Sequence, residues 1–161
     1  MNRTGPVPEP GGARITVIFP IYRAADSVEG LVESIALQRG PAGTNAGAGI
    51  DVIFIDNASP DDTVERLEQA LERLTPPMPV RIVRNEENLG LARSFNRALG
   101  MVSTDYVLTC HADCRFDSDD YVARVVEILD RNPEVAVVSR QSVADVRAGL
   151  SRVEKVYLAA N

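Results

Sequence analysis

Cysteine is scarce in this sequence, with Cys110 and Cys114 the two among 161 residues. Two are too few to staple a small secreted scaffold. Basic residues are in the minority, since Lys plus Arg number 17 against 23 Asp plus Glu, for a net charge of −6 and a pI near 4.8. No Lys/Arg block forms the basic face that a nucleic-acid grip requires, so no nucleic-acid partner is expected. No apolar run approaches the roughly 20 residues of a membrane-spanning helix. Residues 1–14 hold three Pro and three Gly but no apolar signal-peptide core. Residues 1–13 therefore read as a disordered leader ahead of one domain over 14–161, in a reduced, cytoplasmic protein. Aromatics are only 5%, yet 45% hydrophobic and 25% charged residues are the make-up of an ordinary soluble globular domain. A chain of this length can bury a core without disulfides or a structural metal.

What is present alternates. Ile15 to Phe19 is a short apolar, β-rich run stopped by Pro20. Asp26-Ser27-Val28-Glu29 then predicts a helix capped by Asp26, with Val28, Leu31, Val32, Ile35 and Ala36 on one stripe. Arg39 to Gly49 lacks periodicity and reads as a loop. Val52 to Ile55 is a second strand, and Ser59-Pro60-Asp61-Asp62 a helix start with Ser59 as hydroxyl cap. Val64, Leu67, Leu71 and Leu74 form that helix's inner face. A third strand covers Val80 to Val83, followed by a helix from about Gly90 to Leu99 with Leu91, Phe95 and Leu99 facing inward. Tyr106 to Cys110 is a fourth strand. Ser118-Asp119-Asp120 opens a helix carrying Tyr121, Val125, Ile128 and Leu129. Val135 to Val138 is a fifth strand, and Ser151 to Asn161 begins a further helix. This order predicts an α/β fold, an open, mostly parallel sheet with helices on both faces.

Ligands of such sheets gather beyond the carboxyl ends of the strands. Here those ends are Pro20-Ile21-Tyr22-Arg23, Asp56-Asn57-Ala58, Asn85 to Asn88, and His111-Ala112-Asp113. The first turn is not G-x-G-x-x-G, and no G-x-x-x-x-G-K-[ST] occurs, which excludes the dinucleotide fingerprint and the P-loop. Cys110, His111, Asp113 and Cys114 do not suit a zinc site. Strand alternation turns Cys110 and His111 to opposite faces, and structural zinc cysteines come in spaced pairs. Cys110 reads as a small core residue.

Four segments in order, ITVIFPIYRAADSVEGLVESI, VIFIDNASPDDTVERL, RIVRNEENLGLARSFNRAL and DYVLTCHADCRFD, resemble the family 2 glycosyltransferases over about Arg14 to Gln141. The resemblance implies the glycosyltransferase A fold, Rossmann-like, and transfer of a sugar from a nucleoside diphosphate sugar to an acceptor, with inversion and a divalent metal. Pro20 and Tyr22 would shape the slot for the nucleotide base, and Asp56 would accept a hydrogen bond from it, with Asn57 alongside. Asn88 and Gly90 would let the backbone pass close to the donor, and Asn96 would brace that turn. Asp113, with His111 in place of the family motif's first carboxylate, would hold Mn²⁺ or Mg²⁺ against the diphosphate. Phe95 stands where many members carry Arg, and Arg93 lies two positions earlier.

In the family a second half of roughly one hundred residues follows, carrying the catalytic base and acceptor site. The domain is thus expected to stop short of that half, leaving the base unassigned. The alternative is a catalytically incomplete donor-binding module, or a truncated fragment acting only with a partner. Apolar surface left by the missing half is expected to favour a homo-oligomer, and the acceptor (sugar, lipid or protein) is open. A place peripheral to the membrane is compatible with this reading.

Overall fold

Apolar side chains alternate along β1 (Ile15–Ile21) so that both faces of the strand must be covered. Ile15, Val17, Phe19 and Ile21 enter one core cluster, while Ile18 enters another on the opposite face. β2 (Ile50–Asp56) repeats this, with Ile50, Val52 and Phe54 on the first side and Ile53 and Ile55 on the second. Such doubly buried strands belong in the middle of a helix-covered parallel sheet. The computed structural model places them there, and it describes residues 12–41, 47–140 and 156–160. Four parallel strands run in the order β3 (Val80–Arg84), β2, β1, β4 (Tyr106–Thr109).

Helices cover both faces. α1 (Val28–Ala36) buries Val28, Leu31, Val32 and Ile35 in the first cluster. α2 (Thr63–Leu74) adds Leu67 and Ala70, and α4 (Tyr121–Arg131) adds Val122 and Val126. Phe19 and Phe54 stack at 5.1 Å between centroids in the middle of this layer. Full burial of one such large side chain contributes about 1.5–3 kcal/mol. The second face is covered by α3 (Leu91–Leu99), through Ala98 and the partly buried Phe95.

Several expectations are corrected. β1 runs through Pro20 to Ile21, with Pro20 paired to Ile55. Ile21 carbonyl accepts from the Asn57 N–H on the β2 side, and Ile18 carbonyl from the Cys110 N–H on the β4 side. By alternation Pro20 turns its nitrogen toward β4, where the ladder ends, so its missing N–H breaks no bond to β2. Asp26 does not cap α1. Ser27 occupies the N-cap, without a side-chain bond. α2 begins at Thr63 after Asp62, not at Ser59, whose hydroxyl instead accepts the Arg23 N–H at 3.1 Å. In α3 the inward residues are Ser94 and Ala98, whereas Leu91 and Leu99 are exposed.

The fifth strand, β5 (Val135–Arg140), lies outside the parallel sheet and pairs antiparallel with β6 (Val156–Ala160). A strand therefore stands where a helix was expected from Ser151. The short, β-branched and aromatic run Val156-Tyr157-Leu158 suits a strand, and five residues are too few to display helical periodicity. Most of the expected leader and the middle of the 39–49 loop lie outside the described residues.

Candidate functional site

The carboxyl ends of β1, β2 and β3 meet at one rim, joined by backbone bonds. The Asn57 N–H donates to Ile21 carbonyl at 2.9 Å, and the Asn85 N–H to Asp56 carbonyl at 2.8 Å. Two non-glycine residues here take left-handed conformations, Arg23 (φ 49°) and Ala58 (φ 59°). Such geometry is costly for L-residues and persists where neighbours impose it. The neighbours are visible. Ser59 accepts the Arg23 N–H, and the buried Thr63 hydroxyl accepts the Ala24 N–H at 2.8 Å while donating to Asp61 at 2.6 Å. The start of α2 is thereby clamped to the end of β1.

Asp56 ends β2 with its side chain only 4% exposed, and its carboxylate oxygens accept the Ser59 N–H at 3.2 and 3.3 Å. Pro20 is buried within β1, while Tyr22 stands exposed on the rim with the Arg23 guanidinium 5.5 Å from its ring centroid. That separation suits a cation–π contact. A buried carboxylate at the end of β2 and an exposed aromatic ring just past the end of β1, its neighbour, can hydrogen-bond and stack a planar heterocycle.

Asn57 is buried, and both its polar atoms are bonded. Its Oδ1 accepts the Leu89 N–H at 2.8 Å, Asn85 Nδ2 at 3.0 Å and Ser94 Oγ at 3.0 Å. Its Nδ2 donates to Asn88 Oδ1 at 2.7 Å, and that oxygen also accepts the Gly90 N–H at 2.9 Å. Asn85 Nδ2 reaches Ser94 Oγ at 3.0 Å, and Arg97 donates to both Asn85 Oδ1 and Arg84 carbonyl. Gly90 (φ 77°) is the N-cap of α3, and its backbone conformation favours glycine. Asn96 is exposed on α3 and makes no side-chain bond to this turn among the described residues; Asn57, Asn85, Asn88 and Ser94 hold it instead. Asn85 was expected on the rim but not as a buried brace, and Ser94 was not anticipated, because a helix's buried polar residue is invisible to apolar periodicity. The available signal was Ser94 at i−4 from Ala98, on the same inner face.

His111 and Asp113 follow β4 in a turn closed by the Cys114 N–H on His111 carbonyl at 3.1 Å, and both are exposed. Arg93 is exposed on α3, while Phe95 packs against the second cluster. No group of three or more His, Cys, Asp or Glu that could hold a metal occurs among the described residues. Two exposed donors nevertheless suit a hard cation that takes its remaining ligands from water and substrate phosphates. Cys110 belongs to the core, and burial pushes its thiol up to about 12, with Cys114 adding to the shift. Such a thiol is a poor nucleophile at neutral pH.

Sequence and fold comparisons converge on one family. The dolichol-phosphate mannosyltransferase of Pyrococcus furiosus is 25% identical over 129 residues, 79% of this chain and 33% of that protein. The undecaprenyl-phosphate 4-deoxy-4-formamido-L-arabinose transferase of Klebsiella pneumoniae is 25% identical over 132 residues, covering 82% and 38%. The match thus spans 33% to 38% of the length of these relatives. Among solved structures, the mannosyltransferase PcManGT of Pyrobaculum calidifontis, in complex with GDP-Man and Mn²⁺, superposes with a TM-score of 0.67. It is 29% identical, and the match covers 76% of this chain and 33% of that one. S. aureus TarS in complex with UDP shares the fold, with a TM-score of 0.67 at 20% identity over 86% of this chain and 38% of its own. The fold is that of the glycosyltransferase A enzymes. The sequence model described as Glycosyl transferase family 2 matches residues 16–158, nearly the whole chain, and the protein belongs to that family.

Proposed function

We propose that this chain binds the nucleoside diphosphate sugar of an inverting, metal-dependent glycosyltransferase, at the rim carrying Pro20, Tyr22, Asp56, Asn88, Gly90, His111 and Asp113. The observation that carries the reading is Asp56, a buried carboxylate held at the end of a central strand by the Ser59 N–H. Burying a carboxylate is unfavourable unless it has a binding task or strong partners, and a backbone N–H alone is a modest partner. Asp56 would accept an N–H from the base while Tyr22 offers its open ring. His111 and Asp113 would hold Mn²⁺ or Mg²⁺, which when bound neutralises the charge of the departing diphosphate. The GDP-Man and Mn²⁺ complex of the Pyrobaculum mannosyltransferase supports both the donor class and the metal.

In the transfer, an acceptor oxygen bonds to the anomeric carbon as the carbon–oxygen bond to the diphosphate breaks. The electron pair leaves with the diphosphate, and a base takes the acceptor proton. None of the rim residues here is assigned that base. The Pyrococcus and Klebsiella relatives are named for dolichol phosphate and undecaprenyl phosphate, which supports a lipid-linked acceptor and a membrane-peripheral location. No helix among the described residues is long and apolar enough to cross a membrane.

Calorimetry with UDP, GDP and dTDP, each with Mn²⁺, tests the reading. Heat with at least one nucleotide is expected, lost in Asp56→Ala. Asp113→Ala should abolish the metal-dependent part while His111→Ala only weakens it, because a carboxylate is the better ligand for a hard cation. No heat from the unaltered chain at millimolar nucleotide would reject the proposal.

A further inference from the structure

The turn Asn88–Gly90 is held from below by a polar layer, where the rest of α3 is held by little apolar surface. Leu91 and Leu99 face solvent at 48% and 43% exposure, and Ala98 is the fully buried apolar residue of the helix. Against this, Asn57 and Asn85 are each 6% exposed and Ser94 is fully buried. Three donors from three places converge on Asn57 Oδ1: the turn (Leu89 N–H), the end of β3 (Asn85) and α3 (Ser94). The Asn57 amide nitrogen goes to Asn88, which in turn holds the Gly90 N–H. Both polar atoms of the Asn57 side chain are therefore committed within the protein.

We infer that Asn57 and Ser94 are positioning residues. Their buried contact, completed by Asn85, fixes the Asn88–Gly90 turn and the N-terminus of α3 relative to the end of β2. The Asn57 side chain acts on the donor through that turn rather than by touching it. This deepens the donor-rim reading and rests on it. The physical reason is directional. The apolar contact of α3, through Ala98 and the partly buried Phe95, is non-directional and would let the helix slide along the sheet, whereas an amide–hydroxyl network has one geometry and loses several bonds at once when displaced. A donor lying against the Gly90 backbone requires that geometry before it arrives, since preorganisation lowers what binding must order.

Ser94→Ala tests this with two readouts. Ser94 is fully buried, so its hydroxyl cannot contact a ligand directly. The first readout is amide hydrogen exchange at Leu89 and Gly90, referenced to β2 amides; the second is the affinity for GDP or UDP with Mn²⁺. Exchange at Leu89 and Gly90 is expected to quicken about tenfold while β2 amides hold, as in a local opening, and affinity to fall about tenfold. Asn57→Asp keeps an acceptor for Leu89 and should preserve its slow exchange, which Asn57→Ala should not. Gln69→Ala, exposed on α2, should change neither readout. Unchanged exchange in Ser94→Ala, or faster exchange with undiminished affinity, overturns the inference. An unaltered chain that binds no nucleotide overturns the donor reading and this inference with it. That failure is recognisable because the exchange measurement still shows whether the network holds the turn.

Discussion

Gln38 is a polar residue that is only 1% exposed, just beyond the end of α1, and replacing it by Leu should unlatch α4. Its Oε1 accepts the Val122 N–H at 3.1 Å, and its Nε2 donates to Ser118 carbonyl at 2.7 Å and Ser34 carbonyl at 3.4 Å. Val122 is in the first turn of α4, where N–H groups have no partner within the helix, and the N-cap Asp120 makes no side-chain capping bond. Gln38 thus caps a helix 84 positions away. Gln38→Leu keeps the approximate volume and removes the bonds. Two good hydrogen bonds contribute about 1 kcal/mol each, and the stranded, buried Val122 N–H costs about 1–3 kcal/mol more. Part of this is offset by the added apolar surface, leaving a destabilisation of about 2–3 kcal/mol. Urea unfolding should show a lower midpoint at unchanged slope, and the Val122 amide should exchange faster than those of β1. A loss below about 0.5 kcal/mol, or an unaltered Val122 amide, would refute the capping role, since surface substitutions without such a role fall in that range.

Three further outcomes are expected. Thr75 ends α2 in the left-handed region (φ 42°, ψ 63°) and is exposed, so Thr75→Gly should stabilise by about 0.5–1 kcal/mol; a lowered thermal midpoint would contradict it. Cys110, with its thiol pushed up to about 12 by burial, is thiolate at only about one part in ten thousand at pH 8. Iodoacetamide should leave it unlabelled in the native protein and label it after unfolding, as read by peptide mass spectrometry. Tyr106 and Arg14 hydrogen bonds hold the Asp130 carboxyl below its ordinary 3.8. A lowered folded value means that its contribution is present above the unfolded value and lost as pH falls through the folded one. Asp130→Asn should therefore lose less stability than the unaltered chain between pH 5 and about pH 2.5 in urea titrations.

The four parallel strands and the helices between them were legible because the strands are short β-rich apolar runs, as in β1, and the helices repeat apolar residues every 3.6 positions, as in α1. The acidic and amide residues of the rim were legible too, since α/β topology sends strand ends to one side. Sheet order was not, because nothing local in Ile15–Ile21 says that it lies between β2 and β4. Helix starts were misplaced at Asp26 and Ser59; α1 begins without a side-chain cap, and the Ser59 hydroxyl serves a turn instead. Ser59 bonds to Arg23, a partner 36 positions away. The buried roles of Gln38, Asn85 and Ser94 were hidden for the same reason. Each is polar, and its burial depends on partners distant in sequence.

The place of β1 also shapes how the chain reaches this structure. The central strand is the first in sequence, yet one of its two neighbours is β4, and the Arg14–Asp105 bond that flanks their pairing spans 91 residues. Loop closure over that span must precede the reward of pairing, so the high contact order predicts folding far slower than that of a helical bundle of equal size. Until β4 arrives, Ile15, Val17 and Ile18 present an unpaired apolar edge. Folding intermediates that contain β1, β2 and β3 alone are consequently the species most exposed to edge-to-edge association.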